Sequence, residues 1–283
     1  MKLKEVFEKS VQFFKDKKIE TARFDAEILL SHVLKLDRLQ IYLKYEQPLS
    51  EMEITLCREV VRRRSQGEPV AYITGEKGFY GEMFAVGQGV LIPRPETESI
   101  VEEALEYIKQ NEISNPRVLD LGAGTGCIGF SILKQNEKAT LVSIERSPAA
   151  FTYLQKNREA LNLSGRSVVH CADVMTFETS EKFDIIVANP PYIDRQDAEL
   201  QDSVKKFEPD EALFAPALGY QDIANWSKKF RTHLSKPGLM LFEIGYQQGV
   251  ETKRLFSEEK FFSHVAIMKD LAGLDRVVKA EHN

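Results

Sequence analysis

Asn189, Pro190, Pro191 and Tyr192 place a side-chain amide, two imino acids and an aromatic ring directly behind the apolar run Phe183–Ala188. Each proline fixes its own φ and pushes the residue before it toward extended backbone, which leaves the Asn189 carbonyl and side chain few orientations. Neither proline can donate a hydrogen bond, whereas Asn189 Oδ1 and the Pro190 carbonyl both accept. The turn thus offers two acceptors beside a flat ring, an arrangement suited to a planar NH2 group. By itself the tetrapeptide reads equally well as a loop that only ends a strand.

A second constellation lies upstream. The short apolar strand Val118–Leu121 runs into Gly122, Ala123, Gly124, Thr125 and Gly126, and a helical pattern follows. Glycines permit positive φ and let a ligand approach the backbone closely, so this is the loop of an adenosine-containing cofactor. Gly124, Gly126 and Gly129 also satisfy G-x-G-x-x-G, and Glu145 at the end of the next strand stands where an acid holds ribose hydroxyls in dinucleotide enzymes. Asp120, just before the glycines, can attract a cationic methionine end, and Asp173, after the third strand, can accept from an adenine amino group. The Pro-Pro turn decides between the two cofactors. A hydride-transfer enzyme gains nothing from two acceptors aimed at an NH2 group, whereas a methyltransferase using S-adenosylmethionine does.

These residues need a scaffold, and the rest of the chain supplies its pattern. From Asn115 onward apolar strands alternate with helices, which predicts a mostly parallel sheet covered on both faces. The strands fall at 117–121, 140–145, 167–171 and 183–188, then at 239–244, 265–268 and 276–280. Before them, the helical spacing of Val6, Phe7, Val11, Phe13 and Phe14, and of Phe24, Ala26, Ile28, Leu29, Val33 and Leu34, predicts packed helices, with further helices at 38–43 and 50–66. Ser50 with Glu53 forms a capping box. Arg62, Arg63 and Arg64 read as a solvated helix end rather than a polyanion site. Between Ala71 and Val90, aromatic and β-branched residues punctuated by glycines predict a hairpin. Pro93, Arg94 and Pro95 open the next helix. The expected organisation is a helical substrate-binding domain at 1–70, a hairpin linker at 71–92 and a cofactor-dependent domain at 93–283. The irregular stretch Ile193 to Tyr220 is expected to face the substrate.

Composition narrows the classes. The 283 residues are 43% hydrophobic and contain no run long enough to span a membrane, so the expectation is a cytoplasmic protein, taken separately as a monomer. Three scattered cysteines and five histidines show no metal-ligand spacing, and no metal is expected. A net charge of −5 argues against a broad nucleic-acid footprint.

Several motifs in sequence order resemble one family. They are Gly67–Gly75, Phe79–Gly81, Leu91–Glu98, Asp120–Gly126, Asn189–Ile193, Phe207–Pro209 with Ala212 and Leu213, Phe242–Gly245 with Gln248 and Gly249, and Lys269–Leu271 with Asp275–Val278. Together they look like the class I S-adenosylmethionine methyltransferases that modify glutamine in translation proteins. The resemblance implies an α/β fold with a Rossmann-like seven-stranded sheet, a small N-terminal helical domain and a linking hairpin. It also implies transfer of a methyl group to the N5 amide of the glutamine in the Gly-Gly-Gln loop of peptide chain release factors. Carried over, Gly122, Ala123, Gly124, Thr125 and Gly126 line the cofactor, Glu145 binds its ribose, and Asp173 and Val174 flank the adenine. Asn189, Pro190, Pro191 and Tyr192 hold the glutamine, with Tyr192 stacked on the amide plane. Three places depart from the family pattern: Glu145 replaces a more usual aspartate, Val174 a larger aromatic, and Phe214, Ala215 and Pro216 a glycine-richer turn. A ribosomal-protein glutamine, or an amino group of adenine or guanine in nucleic acid, is the alternative acceptor.

Overall fold

The computed structural model describes residues 1–193, 202–215, 219–258 and 260–283, which divide into two compact units. The first holds helices α1 (Leu3–Asp16), α2 (Ala22–Leu34), α3 (Arg38–Leu43), α4 (Glu51–Ser65) and α5 (Val70–Thr74). Their inner faces bury Leu3, Phe7, Phe14, Leu29, Leu30, Ile41, Ile54 and Cys57 in one apolar cluster. The Ser50 capping box is formed: Glu53 Oε2 accepts the Ser50 N–H at 2.8 Å, and the Glu53 N–H donates back to Ser50 Oγ at 3.3 Å. Each of the three successive arginines takes a carboxylate, Arg62 that of Glu59, Arg63 that of Glu68 and Arg64 that of Asp25. Asp25 is buried, so the last of these pairs ties α4 to α2.

The expected hairpin is shorter than its apolar pattern. Residues 70–74 are helical, and the strands are β1 (Glu76–Phe79) and β2 (Glu82–Ala85). Tyr80 and Gly81 between them both have positive φ, 47° and 79°, the geometry of a two-residue turn whose twist matches the strands it joins.

The second unit is built on β3 (Arg117–Leu121), β4 (Thr140–Glu145), β5 (Ser167–Cys171), β6 (Phe183–Ala188), β7 (Leu234–Glu243), β8 (His264–Lys269) and β9 (Asp275–His282). These strands form one sheet in the order β5-β4-β3-β6-β7-β9-β8; β9 is antiparallel to both its neighbours and the other pairs are parallel. Helices α6 (Glu98–Gln110), α7 (Cys127–Gln135), α8 (Pro148–Ala160), α10 (Asp210–Leu213), α11 (Tyr220–Phe230) and α12 (Gly249–Glu258) belong to the same unit, whereas α9 (Asp202–Phe207) groups with the first.

Alternation along the strands explains the layering. Val118, Ile185, Val187, Leu239 and Leu241 pack with Ile100 and Val101 of α6 and Ile128 and Ile132 of α7. Their neighbours Leu119, Leu121, Ile186, Ala188, Met240 and Phe242 pack with Ile223 and Phe230 of α11 and Phe256 of α12. Both faces are therefore covered, and the central strands read as continuous apolar runs. Strand β7 begins at Leu234 rather than at Leu239. Pro237 lacks an N–H and Gly238 a side chain, so the early part carries no apolar alternation, and its pairing with β6 shifts register between Phe183 and Ile185.

Candidate active site

The chain leaves β3 toward β4 and β5 on one side, then crosses back to place β6 on the other side of β3. That reversal opens a crevice beyond the carboxyl ends of β3 and β6, where ligands bind in open α/β sheets. Leu121 pairs with Ala188 in the register of these strands, so the residues that follow them, Gly122 and Asn189, start neighbouring turns. Glu145 ends β4, Asp173 follows β5 and Glu243 ends β7 on the same rim.

A cavity of about 1110 Å³, including its open mouth, lies over this rim. Gly122, Ala123, Gly124 and Thr125 line it, as do Glu145, Asp173, Val174, Asn189 and Pro191. Gly122, Gly124 and Gly126 have φ of 68°, 57° and 81°, and a Cβ on Gly124 would meet no atom closer than 4.0 Å. That position is open toward the cavity. Glu145 braces the turn, since its Oε2 accepts the Gly124 N–H at 2.8 Å and its Oε1 the Ser147 N–H at 2.7 Å. Burial raises the pKa of its carboxyl, against the lowering effect of those two N–H groups.

Asp120 stands behind the turn rather than on the cavity wall. Its Oδ2 accepts the Gly129 N–H at 3.1 Å, and its buried Oδ1 has no hydrogen-bond partner. Burial pushes its pKa up to about 7, with the Glu145 charge adding to the rise and the Gly129 N–H opposing it. Gly129 is a packing glycine, because a Cβ there would lie 2.8 Å from Leu141 and 2.9 Å from Asp120 Oδ2. Cys127 also lines the cavity, but burial drives its thiol up to about 12, which leaves it un-ionised and unreactive near neutral pH.

The Pro-Pro turn is held from below. Asn189 Nδ2 donates to Thr97 Oγ1 at 3.5 Å, Thr97 Oγ1 donates to Glu243 Oε2 at 2.6 Å, and Tyr192 Oη donates to Glu243 Oε1 at 2.9 Å. Thr97 and Glu243 are both 1% exposed. Burial raises the Glu243 pKa, while the two hydroxyls and the nearby Arg276 guanidinium pull it back. Burial and the Glu243 carboxylate likewise raise the Tyr192 phenol.

Comparison with known proteins then fixes the family. The model described as the PrmC N-terminal domain matches residues 5–75, and that of the methyltransferase small domain matches 103–207. A curated release factor glutamine methyltransferase of Chlorobaculum tepidum is 36% identical over 280 residues, 96% of this chain and 94% of that protein. The chain belongs to the release factor glutamine methyltransferase family. The family member of Clostridium acetobutylicum is 38% identical over 287 residues, covering 99% of this chain and 98% of its own. At the level of fold alone, the chain is similar to the Thermus thermophilus 16S rRNA N2 G1207 methyltransferase in complex with AdoMet and guanosine. That match has a TM-score of 0.52 and 22% identity, over 74% of this chain and 50% of the other. The α/β class, the seven-stranded methyltransferase sheet and the helical N-terminal region expected from the family resemblance are all present.

Within this family member the sequence-predicted site residues fall into two groups. Gly122, Ala123, Gly124, Thr125, Glu145, Asp173, Val174, Asn189 and Pro191 meet at the cavity wall, whereas Asp120, Gly126, Pro190 and Tyr192 are not among its lining residues. The Tyr192 hydroxyl donates to Glu243. Pro216 and much of the stretch between Ile193 and Tyr220 lie outside the described residues. The wall also contains Val90, Pro93, Arg94, Thr97, Arg146, Glu211, Asp222 and Trp226, which spacing did not single out as site residues. Arg94 had a signal in its Pro-Arg-Pro context, and its Nη2 donates to Glu208 Oε1 at 2.5 Å, beside the Ile92 N–H that the same carboxylate takes at 3.1 Å. Asp222 and Trp226 had none, since they sit on an ordinary amphipathic helix. Among the described residues no helix is long and apolar enough to cross a membrane.

Proposed function

We propose that this protein transfers a methyl group from S-adenosylmethionine to the N5 amide nitrogen of the glutamine in the Gly-Gly-Gln loop of peptide chain release factors. The observation that carries the reading is the register Leu121↔Ala188, which starts a glycine turn and an amide-bearing turn side by side over one cavity. Family membership supports the substrate, and an AdoMet complex of the same fold supports the cofactor.

The residues present fit that cofactor. Gly124 leaves room for close approach, and the partnerless Asp120 Oδ1 stands behind the turn, where a cationic group would favour its ionised form. Each Glu145 oxygen takes one backbone N–H and keeps a lone pair for a ribose hydroxyl. Asp173 Oδ1 accepts the Met175 N–H at 2.7 Å, leaving its other oxygen for an adenine amino group beside Val174. When bound, S-adenosylmethionine supplies an electrophilic methyl on a positively charged sulfur.

An amide nitrogen is a weak nucleophile because its lone pair is delocalised into the carbonyl. Asn189 Oδ1, on the cavity wall, takes one of its N–H groups, and the Pro190 carbonyl just behind that wall is the acceptor assigned to the other, so that the remaining lone pair turns toward the methyl. Tyr192, anchored by Glu243, keeps the turn in place. A C–N bond forms as the C–S bond breaks, and the extra proton on the product nitrogen leaves to water. The site contributes proximity and a preorganised field, terms that supply roughly 7–11 kcal/mol in well-oriented cases. Mass spectrometry of a purified release factor incubated with this protein and S-adenosylmethionine tests the reading. One methyl on the loop glutamine is expected. Label found only on ribosomal protein or nucleic acid, with the release factor unmodified, would overturn it. The enzyme is read as a cytoplasmic monomer, and a dimer mass in light scattering would contradict that part alone.

A further inference from the structure

With Glu243 ionised, the hydrogen bonds beneath the Pro-Pro turn have a fixed direction. A carboxylate only accepts, so the Thr97 and Tyr192 hydroxyls must both donate to Glu243, and they do so at 2.6 and 2.9 Å. A hydroxyl has a single proton, and Thr97 has given its own to Glu243. Toward Asn189 the Thr97 oxygen can therefore only accept, and only the NH2 end of the Asn189 carboxamide can meet it, here at 3.5 Å. The flipped carboxamide would set two oxygens against each other with no proton between them. Neither Thr97 nor Glu243 has water available to supply one, since both are 1% exposed. Arg276, paired with Asp270 at 3.0 Å, adds its positive charge beside Glu243 and Tyr192 and favours the ionised, accepting state of the pair's carboxylate.

We propose that Thr97 and Glu243 are positioning residues that hold the Asn189 carboxamide with Oδ1 turned toward the methyl-accepting amide. The proposal rests on the function reading above and adds the device that fixes the acceptor's orientation. Thr97 and Glu243 lie 146 positions apart, and in this proposal they act through Asn189 and Tyr192.

The test uses the full-length enzyme with S-adenosylmethionine and a purified release factor, comparing Thr97→Val, Thr97→Ser and Glu243→Gln. Valine keeps the shape and removes the hydroxyl; serine keeps the hydroxyl. Glutamine presents an N–H to one of the two hydroxyls and reverses the donor order. Thr97→Val is expected to lower kcat about 30- to 100-fold, the scale of a catalytic group displaced by about 1 Å. Its KM for release factor and its calorimetric Kd for the cofactor should stay within about threefold of wild type, because neither depends on which end of one amide faces the cavity. Thr97→Ser should recover kcat to within about threefold, and Glu243→Gln should resemble Thr97→Val. Wild-type kcat in Thr97→Val overturns the proposal, and so does equal impairment in valine and serine variants or a loss that follows cofactor affinity. If Thr97→Val does not fold, Thr97→Ala is read by the same criteria; failure of both to fold assigns the pair to stability and overturns it. An inactive wild type overturns the function reading and the pair with it, whereas an active wild type with an unaffected Thr97→Val overturns the pair alone.

Discussion

The turns after β3 and β6 start at paired residues, yet they are built on opposite principles. After Leu121 the chain runs through three glycines at positive φ, and what holds it is local: Glu145, one strand over, takes the Gly124 N–H, and Gly126 donates to the Ala123 carbonyl at 2.8 Å. After Ala188 the chain is stiffened by two prolines with no N–H to offer, and side chains from distant segments, Thr97 and Glu243, hold it. The first turn keeps backbone bare for a ligand to approach. The second gives up backbone donors and presents acceptors. The difference teaches that the cofactor end of the cavity depends on the absence of side chains, and the methyl-accepting end on the orientation of one.

The largest effect is expected where that orientation is expressed. Asn189→Ala should lower methyl transfer by about 10³-fold, the scale seen when one preorganised polar contact to a reacting group is removed. Calorimetry should still show cofactor binding within about threefold of wild type, because the glycine turn is untouched. A parallel collapse of cofactor affinity would mean that the two turns are one functional unit.

Gly126→Ala probes the other turn and should act mainly on stability. A Cβ there would lie 2.4 Å from Phe130 and 2.7 Å from Leu154, both fully buried, at a φ of 81°. Overpacking and left-handed strain together cost about 2–4 kcal/mol, read as a lower urea midpoint with unchanged slope. An unchanged midpoint would show that the core beside this turn is looser than its packing.

How much of this was legible in the sequence follows the same division. The glycine turn, Glu145 and the apolar strands around them could be read directly, because their partners lie within one βαβ unit and the spacing itself encodes the geometry. The Pro-Pro turn was equally visible, but its support was not. Thr97 sits 92 positions from Asn189, and Glu243 lies 51 positions from Tyr192, so nothing in local pattern joins them before the strands come into register. Tyr192 illustrates this. Its aromatic ring points to stacking on the amide, and the structure adds what local pattern does not show, a buried carboxylate that takes its hydroxyl. Arg62 to Arg64 show the opposite case, a charge run whose solvated-helix reading is refined only by Arg64, which reaches the buried Asp25.

Asp120 offers a smaller, pH-dependent distinction between the turns. Its folded pKa of about 7 lies above its ordinary value of 3.8, so the folded protein holds that proton more tightly than the unfolded chain does. The stability it contributes is full below pH 3.8 and is lost as pH rises toward about 7, at up to about 1.4 kcal/mol per pH unit. Urea titrations between pH 5 and 8 should therefore show a falling component that Asp120→Asn removes, since asparagine keeps the acceptor for the Gly129 N–H. Saturating S-adenosylmethionine should flatten the wild-type slope, because a nearby cation favours ionised Asp120. Identical slopes in wild type and Asp120→Asn would place the charge elsewhere.

Gly219 gives the narrowest cut between the two turns. It precedes α11 at a φ of 72°, and a Cβ on it would lie 2.2 Å from the Pro191 carbonyl oxygen and 3.1 Å from the Tyr192 Cα. Those are backbone atoms of a proline-stiffened turn, so no rotamer change can relieve the contact and backbone must move, at the turn or at the start of α11. A shift of the turn stretches the Asn189 and Tyr192 contacts but leaves the Gly124 to Glu145 bond alone, because that bond belongs to β4 and the glycine loop. Gly219→Ala should accordingly lower kcat on release factor by about tenfold while cofactor Kd changes less than about twofold. The helix that Gly219 begins also carries Asp222 and Trp226 to the cavity wall, and this makes the outcome informative in both directions. If cofactor affinity falls in step with kcat, the displacement has travelled along α11 to the glycine turn, where Trp226 lies 3.1 Å from a Cβ built on Gly122, and the two turns are coupled through that helix rather than independent.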